Sequence, residues 1–278
     1  MAILRDKTQH AVKTLIEDSD AVIGLHARRP SRPDECFSVN ADEVFPTASV
    51  IKIPVLMEFY QQAEHGSLDP YAVRRLVDAE KVSGSGVLQF LMANSTSLAL
   101  EDYVRLMVNL SDNTATNVMI DLVGMSNVNT LLDSLGLKKT RLLRKMQDKD
   151  VDPDLVENLS TPKELSMLLE RLMNRDGVSE YVSEKSLEIL KLSKPGVIRD
   201  AVAGDYEVAD KSGWMGGVEC DSGVVYIQEP YIVTVMAKNI SVSDKGSRKV
   251  KETLRRVVTT IHEYYLNTCT STRFGRRV

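Results

Sequence analysis

Three short motifs lie in one order along the chain: Ser49-Val-Ile-Lys52, Ser111-Asp-Asn113 and Lys211-Ser-Gly213. A serine hydroxyl is a poor nucleophile until a base takes its proton. Residues three apart share a helix face, so Lys52 can reach Ser49 if a helix begins at or just before the serine. The free N–H groups of a helix N-terminus can also stabilise an oxyanion. Lys52 is flanked by Ile51, Ile53, Pro54 and Val55, an apolar setting that lowers an amine's pKa and suits it to act as a base. Ser111 can pass a proton to a leaving group, and Asn113 can donate a hydrogen bond to a substrate amide. Asp112 is expected to turn inward and brace its loop. Lys211 and Ser212 can hold a carboxylate by charge-assisted hydrogen bonds. Gly213 leaves room for a ligand along a strand edge, with the Trp214 N–H pointing at it. Each motif alone has a plainer explanation: an N-cap serine with an ordinary lysine, a capped turn between helices, a strand end. A second Ser-x-x-Lys, Ser160-Thr-Pro-Lys163, illustrates this, because Ser160 or Thr161 there is expected only to cap the helix opened by Pro162.

The pattern around the motifs predicts what must position them. Residues 2–18 read as an amphipathic helix, 21–26 as a strand, 28–34 as a turn rich in proline and charge, and 36–39 as a returning strand. Helical periodicity then dominates, over 51–62, 101–110, 115–122, 161–173 and 183–192. Strands resume at 206–211, 222–228 and 231–237, with Lys211-Ser-Gly213 ending the first and Trp214–Gly217 turning the chain. A last helix covers 245–266. The expected fold is α+β: a five-stranded antiparallel sheet flanked by N- and C-terminal helices, from 1–45 and 200–270. A discontinuous all-helical lobe spans 46–199, and 271–278 form a solvated basic tail.

Together the motifs resemble the signature of the class A β-lactamase and penicillin-binding serine hydrolase superfamily, S-x-x-K, S-D-N and K-[ST]-G. The spacings are similar, about 60 and then about 100 residues. So are Phe45-Pro-Thr-Ala-Ser-Val-Ile-Lys-Ile-Pro-Val55, Ser83-Gly-Ser-Gly-Val-Leu88 and Ser111-Asp-Asn-Thr-Ala-Thr-Asn117. The resemblance implies that Ser49 is acylated and Lys52 is a general base. It makes Ser111 and Lys211 a proton relay, has Asn113, Ser212 and Gly213 bind substrate, and forms the oxyanion hole from the N–H groups of Ser49 and Trp214. It also implies a small acyl substrate bearing a carboxylate, and no cofactor. The family's deacylating glutamate has no counterpart. Aligning Arg141 and Arg144 with the paired arginines puts Met146 at that position, which leaves Asp148 as a substitute base. A β-lactam is then expected to stall as an acyl-enzyme. Alternatively, a carboxypeptidase-, esterase- or amidase-like reaction deacylates through Lys52 or Ser111. A rival of another class is a non-catalytic protein that captures a carboxylated ligand, although such a binder has no need of all four of Ser49, Lys52, Ser111 and Lys211.

Composition excludes several other classes. The 278 residues carry a net charge of -4 and 43% hydrophobic residues, with no concentrated basic face for nucleic acid and no stretch of about 20 apolar residues for a membrane span. Cys36, Cys220 and Cys269 are odd in number and widely spaced, against zinc or a disulfide framework. Cys220, near the third motif, reads as a small buried residue. The charged N-terminus is expected to leave the protein cytoplasmic. Asp148, Asp150, Asp152 and Asp154 alternate, but Pro153 stands where a calcium loop needs glycine, so no metal is expected. His10, His26, His65 and His262 have no evident partner, and no Ser–His–Asp triad is expected.

Overall fold

The computed structural model describes residues 2–152, 155–192, 196–202, 204 and 206–269. Asp154 and Pro153 of the acidic stretch and the 271–278 tail lie outside the described residues. In chain order the elements are α1 (Ala2–Glu17), β1 (Val22–Arg29), β2 (Arg32–Val39), β3 (Phe45–Pro46) and, after a turn of 3₁₀ helix at Ala48–Ile51, α2 (Lys52–Glu64). Next come β4 (Val73–Arg75), β5 (Ser97–Ala99), α3 (Leu100–Asn109), α4 (Asn113–Val123), α5 (Met125–Ser134) and β6 (Leu159–Ser160). The chain closes with α6 (Pro162–Asn174), α7 (Glu180–Lys191), α8 (Val197–Ala201), β7 (Glu207–Met215), β8 (Val218–Tyr226), β9 (Tyr231–Lys238) and α9 (Asp244–Cys269). Two compact units result. One comprises Met1–Val50, Ser160–Glu170 and Pro195–Val278, the other Ile51–Leu159 and Arg171–Lys194.

The first unit is built on a five-stranded sheet, order β2-β1-β9-β8-β7, antiparallel at every step. The central strands β8 and β9 are buried almost throughout, which is why their sequences are nearly continuous apolar runs rather than alternating ones. Val12 and Ile16 of α1 join Val250, Leu254, Val257, Val258 and Ile261 of α9 in one core with Ile23, Leu25, Val233 and Val235 of the sheet. The predicted turn at 28–34 is shorter than expected. β1 runs to Arg29 and β2 starts at Arg32, so Pro33 lies in a strand. β2 is an edge, and an edge strand tolerates a residue with no N–H to donate. The prediction that Lys211-Ser-Gly213 ends a strand is corrected too. β7 continues to Met215, and the reversal is made by Gly216 and Gly217, the latter at φ 77°. The third motif is thus embedded in an edge strand, paired with β8 across Lys211↔Ser222, Ser212↔Asp221, Gly213↔Cys220 and Trp214↔Glu219.

In the second unit α2 is the central element. Every residue from Lys52 to Tyr60 is buried, the pattern of a helix covered on all sides. α3, α4, α5 and α7 pack around it. Pro54 sits in the first turn of α2, where its missing N–H would have had no intrahelical acceptor. The lobe is not all-helical as expected: β4 and β5 form a short antiparallel ladder, Val73↔Ala99 to Arg75↔Ser97. α5 was not foreseen, since Gly124 and the polar Ser126-Asn127 interrupt the apolar period. Residues 160–170, read from sequence as part of the helical lobe, group with the sheet unit. Ser166 Oγ of α6 donates to the His26 carbonyl (3.2 Å) and lies within hydrogen-bond distance of Thr234 Oγ1 (2.9 Å). Thr161 Oγ1 accepts the Glu164 N–H at 3.1 Å, and Lys163 pairs with Asp42. The second Ser-x-x-Lys is therefore a helix cap and a surface ion pair. No helix among the described residues is long and apolar enough to cross a membrane.

Candidate active site

Lys52 is fully buried, and its Nζ donates to the Ser111 carbonyl (2.8 Å), Ser111 Oγ (3.0 Å) and Asn113 Oδ1 (3.3 Å). The first two motifs therefore meet through the lysine. Three acceptors match the three N–H bonds of an ammonium. Two of them, a carbonyl and an amide oxygen, can only accept. Ser111 Oγ can also donate, so it is the group able to answer a lysine lone pair.

The Ser111 geometry is imposed by its neighbours. It follows α3 at φ 53°, a left-handed conformation uncommon outside glycine and asparagine, and this lets the Asp112 N–H return to the Leu106 carbonyl at 3.0 Å. Asp112 caps α4 by accepting from Ala115 N (2.9 Å), while its second oxygen accepts from Val87 N (2.6 Å) and Leu88 N (2.9 Å). It braces the loop, as expected. Asn113 reaches the same loop: its Nδ2 donates to the Ser83 carbonyl (3.1 Å), and its N–H to that of Ser85 (3.0 Å). The glycines of Ser83-Gly-Ser-Gly86 make these approaches possible. A Cβ on Gly84 would lie 2.6 Å from Asn113 Nδ2, and one on Gly86 2.2 Å from the Asp112 carboxyl; both residues have positive φ.

In the sheet unit the edge strand fixes the Ser49 backbone. A Cβ on Gly213 would stand 2.7 Å from Ser49 N, 2.9 Å from the Thr47 carbonyl oxygen and 3.0 Å from Val50 N. Only glycine permits this contact, which sets the Ser49 amide beside the strand that continues into Trp214. Ala48, at φ 44°, turns the chain into Ser49. Behind Gly213, the Cys220 thiol donates to the Pro46 carbonyl at 3.3 Å; burial pushes that thiol's pKa up, so it is a packed, unreactive group. Lys211 is buried, with Nζ 2.6 Å from the Ser212 carbonyl.

Under the same strand lies a carboxyl pair that sequence reasoning missed. Asp210 accepts from Arg199 Nε (2.7 Å) and Asp221 from Ile198 N (2.9 Å). Among the described residues, Asp210 Oδ2 and Asp221 Oδ1 have no hydrogen-bond partner. Burial pushes Asp210 up to about 6 against the pull of Arg199. Burial, and then the neighbouring Asp210 charge, raise Asp221 well above the usual carboxylate range.

The loop after α5 is fastened by several sets of contacts, among them three close to Met146. Arg144 makes a bidentate pair with Glu157 (3.1 and 2.7 Å). Asn158 Oδ1 accepts from Leu143 N and Arg144 N. Asn117, one turn beyond Asn113 on α4, holds both sides of Met146, accepting from its N–H (2.8 Å) and donating to its carbonyl (2.9 Å). Asn117 stood in a quoted motif without a role; Glu157 and Asn158 gave no signal, because their partners are fixed only by the fold. Asp148, two residues on, is half-buried and accepts from its own loop's Asp150 N at 3.1 Å. His26 Nε2 lies 3.5 Å from Cys36 Sγ, and His262 Nδ1 2.9 Å from Tyr231 OH, so both buried histidines have packing partners. Among the described residues no cluster of three or more His, Cys, Asp or Glu could hold a metal.

A family model described as the beta-lactamase enzyme family matches residues 7–265. The chain belongs to that family. Beta-lactamase CARB-3 of Pseudomonas aeruginosa is 27% identical over 243 residues, covering 82% of this chain and 81% of that protein. A beta-lactamase from Sphaerobacter thermophilus is 28% identical, with a TM-score of 0.82 over 94% of this chain and 96% of that one. The structure of PBP-A, at 23% identity, shares the fold with a TM-score of 0.82 over 93% and 96%. The protein is a class A β-lactamase-like serine hydrolase.

Two outcomes are expected from this geometry. Gly86→Ala should lose at least about 2 kcal/mol in urea unfolding, because a methyl meets the Asp112 carboxyl at a positive φ. The buried aspartates have raised pKa values, so the folded state holds protons that the unfolded chain has released. The stability they contribute is complete below the unfolded aspartate pKa of about 3.9 and is lost as pH rises through about 6 for Asp210 and through the raised pKa of Asp221, well above the usual carboxylate range. Asp221→Asn should flatten this fall, read as the difference in urea midpoint between pH 4.5 and 7.5 against wild type.

Proposed function

We propose that the protein opens β-lactams, or related amides and esters bearing a carboxylate, through an acyl-enzyme on Ser49, and that the acyl-enzyme is long-lived. Ser49 Oγ attacks the carbonyl carbon while Lys52, three residues on, takes its proton. The oxyanion that forms is held by the N–H groups of Ser49 and Trp214. As the C–N bond breaks, Ser111 delivers a proton to the leaving nitrogen and is resupplied by Lys52 and Lys211. Lys211 and Ser212 hold the substrate carboxylate, and Asn113 and Gly213 hold its body. Water then cleaves the ester and restores the Ser49 hydroxyl.

The observation that carries acylation is the 3.0 Å contact between Lys52 Nζ and Ser111 Oγ, inside a cage of acceptors that fixes the amine. The observation that argues for slow hydrolysis is Met146. Its backbone is clamped by Asn117, and its thioether cannot accept a proton from water. This favours a second reading on the same site, a penicillin-binding, carboxypeptidase-like or esterase activity in which an acceptor other than free water, or deacylation through Lys52 or Ser111, completes the cycle. Asp148 remains the carboxylate nearest in sequence to the vacated position.

Intact mass after mixing with penicillin G should show one adduct per chain that persists for hours, located on Ser49 by peptide mapping and absent in Ser49→Ala. Lys52→Ala should slow its formation by about 10²- to 10⁴-fold, the usual worth of a positioned base. Met146→Glu should shorten the adduct's life and release hydrolysed product. An adduct on another residue, or rapid turnover by wild type, would overturn the reading.

A further inference from the structure

Trp214 is the only tryptophan of the chain, and it stands open to water at 67% exposure. Among the described residues it is the one large apolar side chain of the five-stranded sheet left in that state. The rest of its strand is packed: Val208 to Lys211 and Gly213 are buried. Among the described residues the indole makes neither a ring contact nor a hydrogen bond. An indole offers a large apolar surface and one N–H donor, and here both are available to a ligand. The position of the side chain follows from its neighbours. Gly213 lies against the Ser49 backbone, where a Cβ would stand 2.7 Å from Ser49 N. Alternate residues of a strand share a face, so Trp214 is on the opposite face, with Ser212. That face turns toward Gly196 and Asp221: a Cβ on Gly196 would stand 2.8 Å from Ser212 Cβ and 2.6 Å from Asp221 Oδ2. Ser212 and Trp214 are therefore successive members of one row, about 7 Å apart along the strand.

We propose that the Trp214 indole is a specificity-determining surface for the leaving half of the substrate, favouring an aromatic substituent beside the carboxylate. The proposal rests on the acyl transfer at Ser49 proposed above. In that reaction the carboxylate held by Ser212 belongs to the leaving half, on the carbon bonded to the departing nitrogen or oxygen. A substituent on the adjacent atom can run along the row from Ser212, and a phenyl-bearing group spans the roughly 7 Å to the indole. Two rings that meet offset or edge-on gain more than burial alone provides. Backbone and side chain of Trp214 then have separate tasks: the N–H serves the oxyanion and the indole serves the leaving half. The favoured class is a carboxylated amide or ester whose leaving half carries an aromatic ring, over one that carries only a methyl group there.

The test uses two cephalosporins with the same acyl half. One has a methyl group at C3, the other a phenylvinyl group; C3 adjoins the carbon that bears the carboxylate. Rates of Ser49 adduct formation are followed by intact mass at several concentrations for wild type, Trp214→Phe and Trp214→Ala. All three keep the backbone N–H, and any loss common to both reagents cancels in their ratio. The preference for the phenylvinyl reagent should fall roughly 3- to 10-fold in Trp214→Ala, the worth of one aromatic pair. Trp214→Phe restores a ring and should recover most of it. Emission from the sole tryptophan of wild type should shift to shorter wavelength as the phenylvinyl adduct forms, because the ring covers the indole. A preference that does not fall in Trp214→Ala overturns the proposal. If the urea midpoint falls instead, the indole is a shield for Glu219, the buried residue opposite it on β8. If penicillin G acylates Ser49 and neither cephalosporin does, the leaving-half surface alone is overturned. If none of the three acylates wild type, the acyl-transfer reading falls and takes the surface with it.

Discussion

A lysine amine with no access to water must satisfy three N–H bonds inside the protein, and the helical unit is arranged around this requirement at Lys52. Leaving a buried polar group unpaired costs about 1–3 kcal/mol, and more for a charge. Three acceptors come from one short segment, Ser111 to Asn113. For that segment to offer a carbonyl, a hydroxyl and an amide oxygen to one nitrogen, Ser111 must leave the helical conformation and Asp112 must turn away. The left-handed backbone of Ser111 and the three N–H groups gathered by Asp112 follow. The glycines at 84 and 86 then follow from Asp112 and Asn113, because the loop that supplies those N–H groups has to approach closer than a side chain allows.

Backbone strain marks the segments concerned with chemistry. Among the described residues seven non-glycine residues have positive φ: Asn40, Ala48, Asn94, Ser111, Gln147, Arg175 and Asn239. Three are asparagines, which tolerate this region well. Of the other four, Ala48 immediately precedes Ser49, Ser111 faces Lys52 and Gln147 follows the clamped Met146. Each costs of order 1 kcal/mol or more. Each is held by contacts on both sides: Gly213 packing against Ser49 and Val50, the Asp112 network, and Asn117 on Met146. The local conformations are unfavourable alone and are maintained by long-range contacts.

This division explains what the sequence reveals. The three motifs, the order of strands and helices and the terminal elements of the sheet were legible, because short-range periodicity and fixed spacing carry that information. The extent of β7 was misjudged because Gly213 looks like a strand end, whereas it lies mid-strand against the Ser49 backbone and the turn belongs to Gly216 and Gly217. Asn117, Glu157, Asn158 and the Asp210–Asp221 pair were silent for another reason. An asparagine that clamps a backbone 29 residues away, or two carboxyls buried on adjacent strands, has no local signature.

The loop that carries Met146 is firmly fastened although no proton-accepting side chain stands at that position. Arg144 with Glu157, Asn158 with the 143–144 backbone and Asn117 with Met146 would hold a carboxylate in place equally well. The loop's shape is therefore independent of the group it presents. A glutamate at a position only 8% exposed would pay a desolvation cost that methionine avoids, and it would supply a proton acceptor to water. The proposed acylation draws on a connected set of buried contacts around Lys52. The proposed block to deacylation by water lies in one side chain, Met146, projected from a loop whose fastenings are made by other residues. On that reading a single substitution at Met146 separates capture from turnover, with the fold and Ser49 left intact.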